Sequence, residues 1–309
     1  MHIGVWRSWL ARKAGGLEAG GSSPLTPTIK IFMYKPKHRT KLRLFLGKIF
    51  YFLKKYFYWY LSGTKFAKTI SSKQLRYKIS QHKSLLMRKL KNVEMWMQKN
   101  KINNLELAIK KLDGIIINPG ETFSYWLLIG APTKGKGYLP GMVLYNGHVF
   151  EGVGGGLCQL SNLIYWITLY TPLTAIERHR HSYDVFPDAN RKQPFGTGAT
   201  CSYPSIDLQI KNNTNATFQL KLTITKDCLV GTWFSNEPIK NKYIIEERNH
   251  CIKHEWWGGY TRNNKIFRKI IEPQTSKEIS EELITENHAI MMYSPMLAKP
   301  QSFSIEKEK

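Results

Sequence analysis

The sequence predicts an α+β fold: N-terminal helices, then a mostly antiparallel β core with a cysteine-bearing helix after a glycine-rich loop. Three observations support this class. Residues 218–224 alternate between apolar and polar side chains, as a half-buried strand does. Residues 142–151 flank an Asn-Gly dipeptide with strand-forming residues, which predicts a hairpin. Four apolar residues after the loop Gly152–Gly156 fall at helical spacing: Leu160, Leu163, Ile164 and Ile167.

The length and composition of the chain limit its class. Its 309 residues can form one large domain or two small ones. The formal net charge of +24 favours anionic partners such as membrane headgroups, wall polymers or nucleic acid. No two cysteines form a CxxC pair, so neither a zinc site nor a disulfide framework is indicated. The cysteines are Cys158, Cys201, Cys228 and Cys251.

The N-terminal residues 1–32 differ in composition from the rest of the chain. They contain a Gly-Gly-Ser-Ser-Pro run and show no pattern of core residues. We interpret them either as a disordered tail or as a spurious extension, with the natural start at Met33. The Gly-Ser-Ser-Pro run resembles a translated T-arm of a tRNA gene, which favours the second interpretation.

Residues 33–70 form a basic, aromatic segment. From Lys35 to Lys99 the chain carries eighteen Lys or Arg residues and one acid. Leu44–Leu61 is rich in aromatic residues, but three lysines interrupt it, which makes it a poor spanning helix. It also lacks the small-residue cleavage site of a signal peptide. Two interpretations stay open: a helix on an anionic membrane surface, and an ordinary amphipathic helix packed on the domain.

The predicted core domain covers residues 71–235. Its first predicted element is a helix over Asn103–Gly114, opened by an Asn cap and stopped by the glycine. A short strand candidate, Ile115–Ile117, follows, and Pro119-Gly120 ends it. The chain then runs through Gly120–Ser124 and a glycine-rich loop to the hairpin.

The hairpin leads directly into the glycine-rich loop, and Cys158 lies at or just inside the first turn of the next helix. A helix N-terminus offers unpaired N–H groups and a partial positive charge, which favour a thiolate. Strand, glycine loop and cysteine therefore indicate a nucleophile with an oxyanion site beside it. The alternative is a structural cysteine, because a free Cys is usually a small buried hydrophobe.

A second candidate segment, Ala175–Val185, carries two histidines. If it forms one strand, His179 and His181 lie on the same face, and Arg178 lies on the other. A histidine within reach of Cys158 would act as its base. The alternative is a strand whose histidines are solvated and have no catalytic role.

Further strands are predicted after this segment. Pro194–Thr200 is a glycine loop, and Ile206–Asn212 alternates as a half-buried strand. Further on, Lys226-Asp227 turns the chain into a strand over Leu229–Phe234. Residues 236–309 are polar and mixed, and we expect them to form a C-terminal appendage or tail on the core.

Five motifs, in this order and spacing, resemble those of the VanW family. The motifs are Gly120-Glu-Thr-Phe-Ser124, Gly154-Gly-Gly-Leu-Cys-Gln-Leu-Ser161, Glu177-Arg-His-Arg-His-Ser182, Gly198-Ala-Thr200 and Asp207-Leu-Gln-Ile-Lys-Asn-Asn213. The resemblance covers roughly residues 60–295 and is strongest to the short, free-standing form named for B-type vancomycin resistance. Longer members carry an Asp before the Ala-Thr pair, where this chain has Gly198.

The resemblance implies a function in the bacterial cell wall. Some members are associated with L,D-transpeptidation through the motif's cysteine, so Cys158 is expected to be a nucleophile on peptidoglycan stem peptides. His181, which matches the family's Arg-x-x-His pattern, is expected to be its base. Arg178 is expected to hold a substrate carboxylate. The residues expected to form the oxyanion or substrate-binding site are Gly154, Gly155, Gly156, Gln159, Ser161 and Arg178.

Other functions stay open at this point. With water as the acceptor, the same site would be a carboxypeptidase, and a non-enzymatic accessory protein would bind wall precursor or glycopeptide in the same groove. Charge alone suggests nucleic-acid binding, which we do not expect. The expected partners are a peptidoglycan stem peptide or precursor and an anionic membrane surface, with no cofactor and no metal. The expected location is membrane-associated in a bacterium, without a clear signal peptide.

Overall fold

The computed structural model describes residues 40–87, 94–187 and 193–295 of the chain. The chain divides into two units, Met1–Phe45 and Leu46–Lys309. Of the first unit, residues 40–45 are described, and they lie at the start of a helix. The predictions for residues 1–32 lie outside the described residues.

Four α-helices and thirteen strands lie within the described residues. The helices are α1 (Lys41–Leu61), α2 (Met95–Leu112), α3 (Tyr125–Ile129) and α4 (Cys158–Thr168), with a 3-10 turn at Lys134–Lys136. The first strands are β1 (Tyr77–Leu85), β2 (Ile116–Ile117), β3 (Thr122–Ser124), β4 (Pro140–Tyr145), β5 (His148–Val153), β6 (Thr174–Glu177) and β7 (Tyr183–Asp184). The later strands are β8 (Gln209–Lys211), β9 (Phe218–Ile224), β10 (Cys228–Ser235), β11 (Lys242–His254), β12 (Tyr260–Ile271) and β13 (Glu278–Met291).

These strands form four sheets among the described residues. The first sheet has the order β1-β10-β9-β2, and the second has the order β11-β12-β13-β7. The third has the order β3-β8-β6, and β4 pairs with β5 as a hairpin. Each of these pairings is antiparallel except that of β13 with β7. The predicted α+β class is therefore confirmed.

Helix α4 packs against β1 and β10 of the first sheet. Three residues of its predicted apolar face are fully buried: Leu160, Ile164 and Ile167. Burying a large apolar side chain stabilises a fold by about 1.5–3 kcal/mol. Trp233 of β10, also fully buried, donates its indole N–H to the Thr168 hydroxyl at 3.0 Å. The helix that carries Cys158 is thus held by apolar packing and by a buried hydrogen bond.

Helix α2 begins at Met95, eight residues before Asn103, so the predicted Asn cap is wrong. The N-cap is Glu94, whose side chain makes no capping hydrogen bond. Asn103 lies inside the helix, and its side-chain amide donates to the Gly137 carbonyl at 3.0 Å. The asparagine side chain therefore binds a loop instead of the helix end. The helix ends at Leu112, close to its predicted stop.

The predicted hairpin is confirmed. Strands β4 and β5 pair without a register shift up to the turn. Asn146 and Gly147 both have positive φ angles, 49° and 81°, as a type I′ turn requires. The chain leaves β5 through the glycine turn and enters α4 at Cys158. Strand, glycine turn and cysteine-bearing helix therefore follow one another as predicted.

The segment Ala175–Val185 is not one strand, so the interpretation of His179 and His181 as neighbours on one strand face is wrong. Strand β6 ends at Glu177, and β7 begins six residues later. Between them the main chain bridges to the glycine loop, where the Thr200 amide donates to the His179 carbonyl at 2.7 Å. Pairing with a loop, instead of with a strand, breaks the regular alternation of side chains.

The remaining strand predictions differ in accuracy. Residues 218–224 form β9 as predicted, and the predicted strand Leu229–Phe234 lies within β10. The predicted strand Ile206–Asn212 is too long, because β8 covers three residues near its end. Residues 242–291 contain β11, β12 and β13, three long antiparallel strands that the polar composition of the C-terminal part does not indicate.

Candidate functional site

The glycine turn before Cys158 lies directly against strand β4. A Cβ atom on Gly155 would lie 2.1 Å from the carbonyl carbon of Gly141, so a side chain cannot be placed there. Gly154 and Gly156 have φ angles of 76° and 91°, which favour glycine. The predicted glycine-rich loop is thus a tight turn whose shape depends on the lack of side chains.

Three amides of this turn already donate to main-chain carbonyls. Those of Gly154, Gly155 and Gly156 donate to the carbonyls of Leu139, Gly152 and Met142 at 3.1, 3.0 and 3.0 Å. The next two amides are those of Leu157 and Cys158, and no main-chain carbonyl of the described residues accepts from them. Unpaired amides at a helix start can stabilise an anion. In this turn, the amides of Leu157 and Cys158 are therefore the two that no main-chain carbonyl holds.

Asn104 of α2 also holds the turn. Its side-chain amide donates to the carbonyls of Leu139 and Gly155 at 2.9 and 3.0 Å, and its side-chain oxygen accepts from the Leu139 amide at 2.8 Å. Asn104 is fully buried, so these bonds satisfy polar atoms that would otherwise be costly. No local pattern identifies this residue, because its partners lie 35 and 51 residues further along the chain.

Cys158 faces a second cysteine, which the sequence did not assign to the site. Its Sγ lies 3.4 Å from the Sγ of Cys201 and 3.6 Å from the Cys201 carbonyl oxygen, and both thiols are reduced. Cys158 is half-buried, whereas Cys201 is buried, with 9% of its surface exposed. The two residues are 43 positions apart, so the tertiary fold brings them together.

The two thiols differ in pKa. The hydrogen bond from the Cys201 thiol, aided by the backbone amides of Cys201 and Cys158, lowers the pKa of Cys158 against the opposing effect of burial. Burial, together with the hydrogen bond to Cys158, raises the pKa of Cys201 well above its ordinary value. Because the thiolate is the nucleophilic form, Cys158 is the sulfur favoured to react.

Helix α4 also holds the segment that ends in Cys201. The Ser161 hydroxyl donates to the Ala199 carbonyl at 2.7 Å. The side-chain oxygen of Asn162 accepts from the Ala199 amide at 2.6 Å. Ser161, which the sequence assigned to the substrate site, is fully buried here and positions the cysteine segment. Both cysteines are therefore fixed by the same helix.

Arg178 binds the loop before this segment. Its Nε donates to the Gly198 carbonyl at 2.8 Å, its Nη2 donates to the Gly196 carbonyl, and its Nη1 donates to the Thr285 hydroxyl at 3.1 Å. The guanidinium also lies over the Tyr165 ring, 4.8 Å from its centroid. Burial lowers the pKa of Arg178. The guanidinium thus already donates to three protein groups, and it does not present a bidentate pair of donors to a substrate.

Gln159 points to β1. Its side-chain amide donates to the Ser84 hydroxyl at 2.9 Å and to the Leu85 carbonyl at 2.8 Å. This amide, which the sequence suggested as an oxyanion donor, therefore joins the start of α4 to the neighbouring strand.

The two histidines of the motif have different surroundings. Nδ1 of His181 lies 2.9 Å from the Thr200 hydroxyl, and its Cδ2 lies close to Gly198, 3.3 Å from where a Cβ would be. His181 is therefore beside the segment that ends in Cys201. Nε2 of His179 lies 3.3 Å from a Glu177 carboxylate oxygen. The pairing of His181 with Cys158 stays a prediction.

Lys55 of α1 lies in a buried ion-pair network. Its Nζ lies 2.6 Å from Glu177 Oε2 and 3.4 Å from Asp207 Oδ2. The Ser124 hydroxyl donates to Asp207 Oδ2 at 2.6 Å. Glu177, Asp207 and Ser124 belong to three of the five family-like motifs. Three of the four motifs that lack the cysteine therefore meet around Lys55 and join α1 to the core.

The two carboxyl groups of this network have opposite pKa shifts. Burial raises the pKa of Asp207, although the Lys55 charge opposes it. Burial also acts to raise the pKa of Glu177, but hydrogen bonding to His179 and the Lys55 charge lower it overall. A buried charge is tolerated when it is paired in this way. Across the described ranges, no group of three or more His, Cys, Asp or Glu side chains is placed to hold a metal ion.

Residues 46–61 of α1 combine buried anchor residues with a large exposed apolar surface. Lys55 and Trp59 are buried, and the Trp59 indole donates to the Ser124 hydroxyl at 3.1 Å. The exposed apolar residues are Leu46, Ile49, Phe50, Tyr51, Phe52, Leu53, Phe57, Tyr60 and Leu61. In the part of the chain that the structure describes, no helix is long and apolar enough to cross a membrane.

These features define a class: an α+β protein in which a tight glycine turn and a helix N-terminus present a cysteine beside a second, buried cysteine. Residues 100–234 match the family described as VanW like protein. The chain is 34% identical over 245 residues to the Vancomycin B-type resistance protein VanW of Enterococcus faecalis, an alignment that covers 79% of the chain and 87% of that protein. The chain belongs to the VanW family, as its motifs predicted.

Another relative is the Uncharacterized protein YoaR of Bacillus subtilis. It is 28% identical over 144 residues, which cover 47% of this chain and 46% of YoaR. Both relatives are therefore bacterial proteins, and the likeness to YoaR extends over about half of each chain. No solved structure matches the chain.

Proposed function

We propose that this chain acts in bacterial cell-wall metabolism as a cysteine acyltransferase of the L,D-transpeptidase type on peptidoglycan stem peptides. The Enterococcus faecalis relative is named for vancomycin resistance, and we extend that association with glycopeptide resistance to this chain. Cys158 carries the proposal, because it is a half-buried thiol of lowered pKa at a helix N-terminus after a glycine turn.

In the proposed reaction, the Cys158 thiolate attacks the carbonyl carbon of an L,D-peptide bond in a stem tetrapeptide. The amides of Leu157 and Cys158 stabilise the negative oxygen of the tetrahedral intermediate. Cleavage of the C–N bond releases the terminal residue as an amine and leaves a thioester. An acceptor amine, or water in a carboxypeptidase reaction, then attacks the thioester and restores the thiol.

His181 is the proposed base and acid of this cycle. It would take the proton from the thiol or the acceptor amine and give it to the leaving amine. We assign this role to Nε2, because Nδ1 lies against the Thr200 hydroxyl, which would orient the ring. The role requires that the imidazole come within hydrogen-bond reach of Cys158.

Three other residues enter the proposal as positioning residues. Asn104 holds the glycine turn, and Ser161 holds the Cys201 segment. Arg178 holds the Gly196–Gly198 loop, because its Nε, Nη1 and Nη2 all donate to protein acceptors. We therefore assign it to the loop, and not to the substrate carboxylate that the family pattern suggested.

Incubation of the full chain with a tetrapeptide-bearing muropeptide and an acceptor amine tests this function. Mass spectrometry should detect both the transfer product and a thioester on Cys158. Cys158→Ala should lose both signals, while Cys228→Ala, which changes another half-buried thiol, should keep them. Transfer of equal rate in Cys158→Ala would contradict the proposal.

A non-enzymatic accessory protein that binds wall precursor or glycopeptide is the second candidate. It is favoured by the number of polar groups near Cys158 that already bind protein atoms, such as the glycine amides, Gln159 and Arg178. Such a protein would bind the muropeptide without turnover, and Cys158→Ser would leave that binding intact. Calorimetric titration of both chains with muropeptide therefore distinguishes the two candidates.

The exposed side of α1 is the proposed site of membrane association. Nine exposed apolar residues between positions 46 and 61 provide the area for insertion at the bilayer interface. Lys48 and Lys54 are exposed on the same helix, and the helix contains no acid, which suits anionic headgroups. Lys55 and Trp59 would fix the helix to the core while the apolar surface contacts lipid.

A further inference from the structure

The two sulfur atoms of the site are in direct non-bonded contact. Sγ of Cys158 and Sγ of Cys201 lie 3.4 Å apart as reduced thiols, and a disulfide requires about 2 Å. The sulfur of Cys158 also contacts the carbonyl oxygen of Cys201. A shortening of this distance by about 1.4 Å would bring the sulfur atoms to bonding distance.

Both partners of this pair are held by hydrogen bonds that do not involve sulfur. On one side of Cys201, the Thr200 amide donates to the His179 carbonyl at 2.7 Å. On the other side, the Ser202 amide donates to the Ile206 carbonyl at 2.8 Å. Cys158 is fixed as the first residue of α4. The main chain therefore maintains the proximity of the two thiols whether or not they react.

The two cysteines differ in a way that suits a two-step oxidation. Cys158 is half-buried and has the lowered pKa, so it meets a small oxidant first and in its reactive form. Cys201 is buried, with a raised pKa, so it is protected from direct attack. A resolving cysteine needs access only to the sulfur of its partner, which Cys201 has.

We propose that Cys158 and Cys201 form a redox-active pair that a hydroperoxide converts into an intramolecular disulfide, which reversibly masks the nucleophile. In the first step the Cys158 thiolate attacks the peroxide oxygen, the O–O bond breaks, and a sulfenic acid forms with loss of hydroxide or alkoxide. In the second step the Cys201 sulfur attacks the Cys158 sulfur, the S–O bond breaks, and water leaves with the Cys201 proton. Two thiols are oxidised and one peroxide is reduced.

This disulfide protects Cys158 from irreversible oxidation. A sulfenic acid without a partner thiol continues to sulfinic and sulfonic acids, whereas a disulfide is returned to two thiols by an external dithiol. The pair requires no acyl transfer, because its chemistry uses only the two sulfurs and the oxidant. Formation of this disulfide therefore does not depend on the proposed acyl transfer.

Hydrogen peroxide treatment of the full-length chain tests the pair, followed by blocking of free thiols and non-reducing peptide mapping by mass spectrometry. The expected product is a disulfide between the peptides that contain Cys158 and Cys201, with the loss of two hydrogens, which dithiothreitol reverses. In Cys201→Ser, peroxide should instead give Cys158 as a dimedone-trapped sulfenic acid and then as sulfinic acid. The matched variant Cys228→Ser should form the same disulfide as the unchanged chain.

Two outcomes would overturn the inference. One is that Cys158 of the unchanged chain proceeds to sulfinic acid as readily as in Cys201→Ser. The other is that the disulfide found joins Cys228 or Cys251. Circular dichroism checks the fold of each variant, and Cys201→Ala replaces Cys201→Ser if that chain does not fold. Mapping of the unchanged chain shows by itself whether the disulfide joins Cys158 to Cys201, because it uses no variant.

Discussion

The side-chain amide of Asn104 donates to the carbonyl of Gly155 at 3.0 Å, which joins helix α2 to the turn before Cys158. Asn104→Ala removes this bond and leaves buried carbonyl and amide groups without their partner. We expect a loss of about 1–3 kcal/mol in the free energy of unfolding, measured by urea denaturation.

Asn103→Ala is the matched control for this change. Asn103 is the preceding residue of the same helix, and its amide binds the Gly137 carbonyl at an exposed position. The loss in the control should stay within about 0.5 kcal/mol, because water replaces an exposed hydrogen bond. Equal losses in the two variants would contradict the role assigned to Asn104.

Cys158 should be the most reactive thiol of the chain toward iodoacetamide. The hydrogen bond from the Cys201 thiol contributes most to the lowering of its pKa, so Cys201→Ala should move the labelling curve of Cys158 to higher pH. Rates of alkylation, measured by peptide mass spectrometry across pH, give the apparent pKa.

The control for this labelling is Cys228→Ala, which should leave the Cys158 curve in place, because Cys158 contacts Cys201. The labelling curve of Cys158 should lie at lower pH than the curves of Cys201, Cys228 and Cys251. A uniform slow rate at all four thiols, or an unchanged curve in Cys201→Ala, would argue against an activated nucleophile.

Cys158 and His181 should act as one unit in the proposed reaction. Cys158→Ala and His181→Ala should each abolish turnover of a tetrapeptide-bearing muropeptide, and the double variant should be no worse than either, because each removes the same proton-transfer step. His179→Ala is the control, since its ring binds Glu177 and is 44% exposed. Full turnover by His181→Ala would remove this histidine from the mechanism.

Gly155→Ala should lose activity while Cys158 itself is unchanged. The added Cβ would lie 2.1 Å from the Gly141 carbonyl carbon, so either the turn or β4 must move. The amides of Leu157 and Cys158 would move with the turn, and the oxyanion would lose its donors. Gly135→Ala is the control, because nothing lies within 4 Å of a Cβ there. Equal turnover in the two variants, measured on the muropeptide, would show that the turn is not needed.

The vesicle-binding test concerns the exposed side of α1. Phe50→Glu together with Phe57→Glu should reduce co-sedimentation of the full chain with anionic phosphatidylglycerol vesicles, because it places charge where apolar side chains would insert. Added salt should weaken binding of the unchanged chain by screening the lysines. Tyr145→Glu, on the tip of the hairpin and equally exposed, is the control.

Point substitutions are preferable to truncation in this experiment. A chain that begins near residue 70 would also lack Lys55 and Trp59, which are buried in the core. Its failure to bind vesicles could then reflect loss of the fold. Binding that is unaffected by the two glutamates and by salt would contradict the membrane proposal.

Much of the fold could be predicted because its signals are local. The hairpin follows from Asn146-Gly147, whose backbone angles depend on the two residues themselves. Strand β9 and helix α4 follow from the spacing of apolar residues along one short segment. The start of the Cys158 helix after the glycines could likewise be predicted from the sequence, because a turn and a helix start each depend on a few residues that are adjacent in sequence.

The rest of the site depends on partners that are distant in sequence. Nothing near Cys201 or Asn104 indicates that their side chains meet α4 and the glycine turn, because each contact spans more than thirty residues. We expected Arg178 to bind a substrate carboxylate, as free guanidinium groups do. In the structure, its guanidinium instead donates to three protein acceptors. Local patterns identify the candidate cysteine, whereas the tertiary fold decides which polar groups near it are already bound to protein atoms.

The ion-pair network around Lys55 should make stability depend on pH when the lysine is removed. Lys55→Met leaves Glu177 and the fully buried Asp207 as carboxylates without their cation, and breaking such a buried pair costs about 3–5 kcal/mol. Without Lys55, the folded-state pKa values of both carboxyls rise. A carboxyl whose pKa is higher in the folded state binds more protons there, so the variant loses stability as pH rises through that range.

The loss of unfolding free energy in Lys55→Met, relative to the unchanged chain, should therefore be largest near neutral pH. It should shrink toward about pH 4, where the carboxyls become protonated. Urea unfolding at both pH values measures it. Lys54→Met is the control, because Lys54 is the exposed neighbour of Lys55 in α1 and should show little effect at either pH. A deficit that is constant with pH would mean that Lys55 stabilises the core through packing of its alkyl chain, and not through its charge.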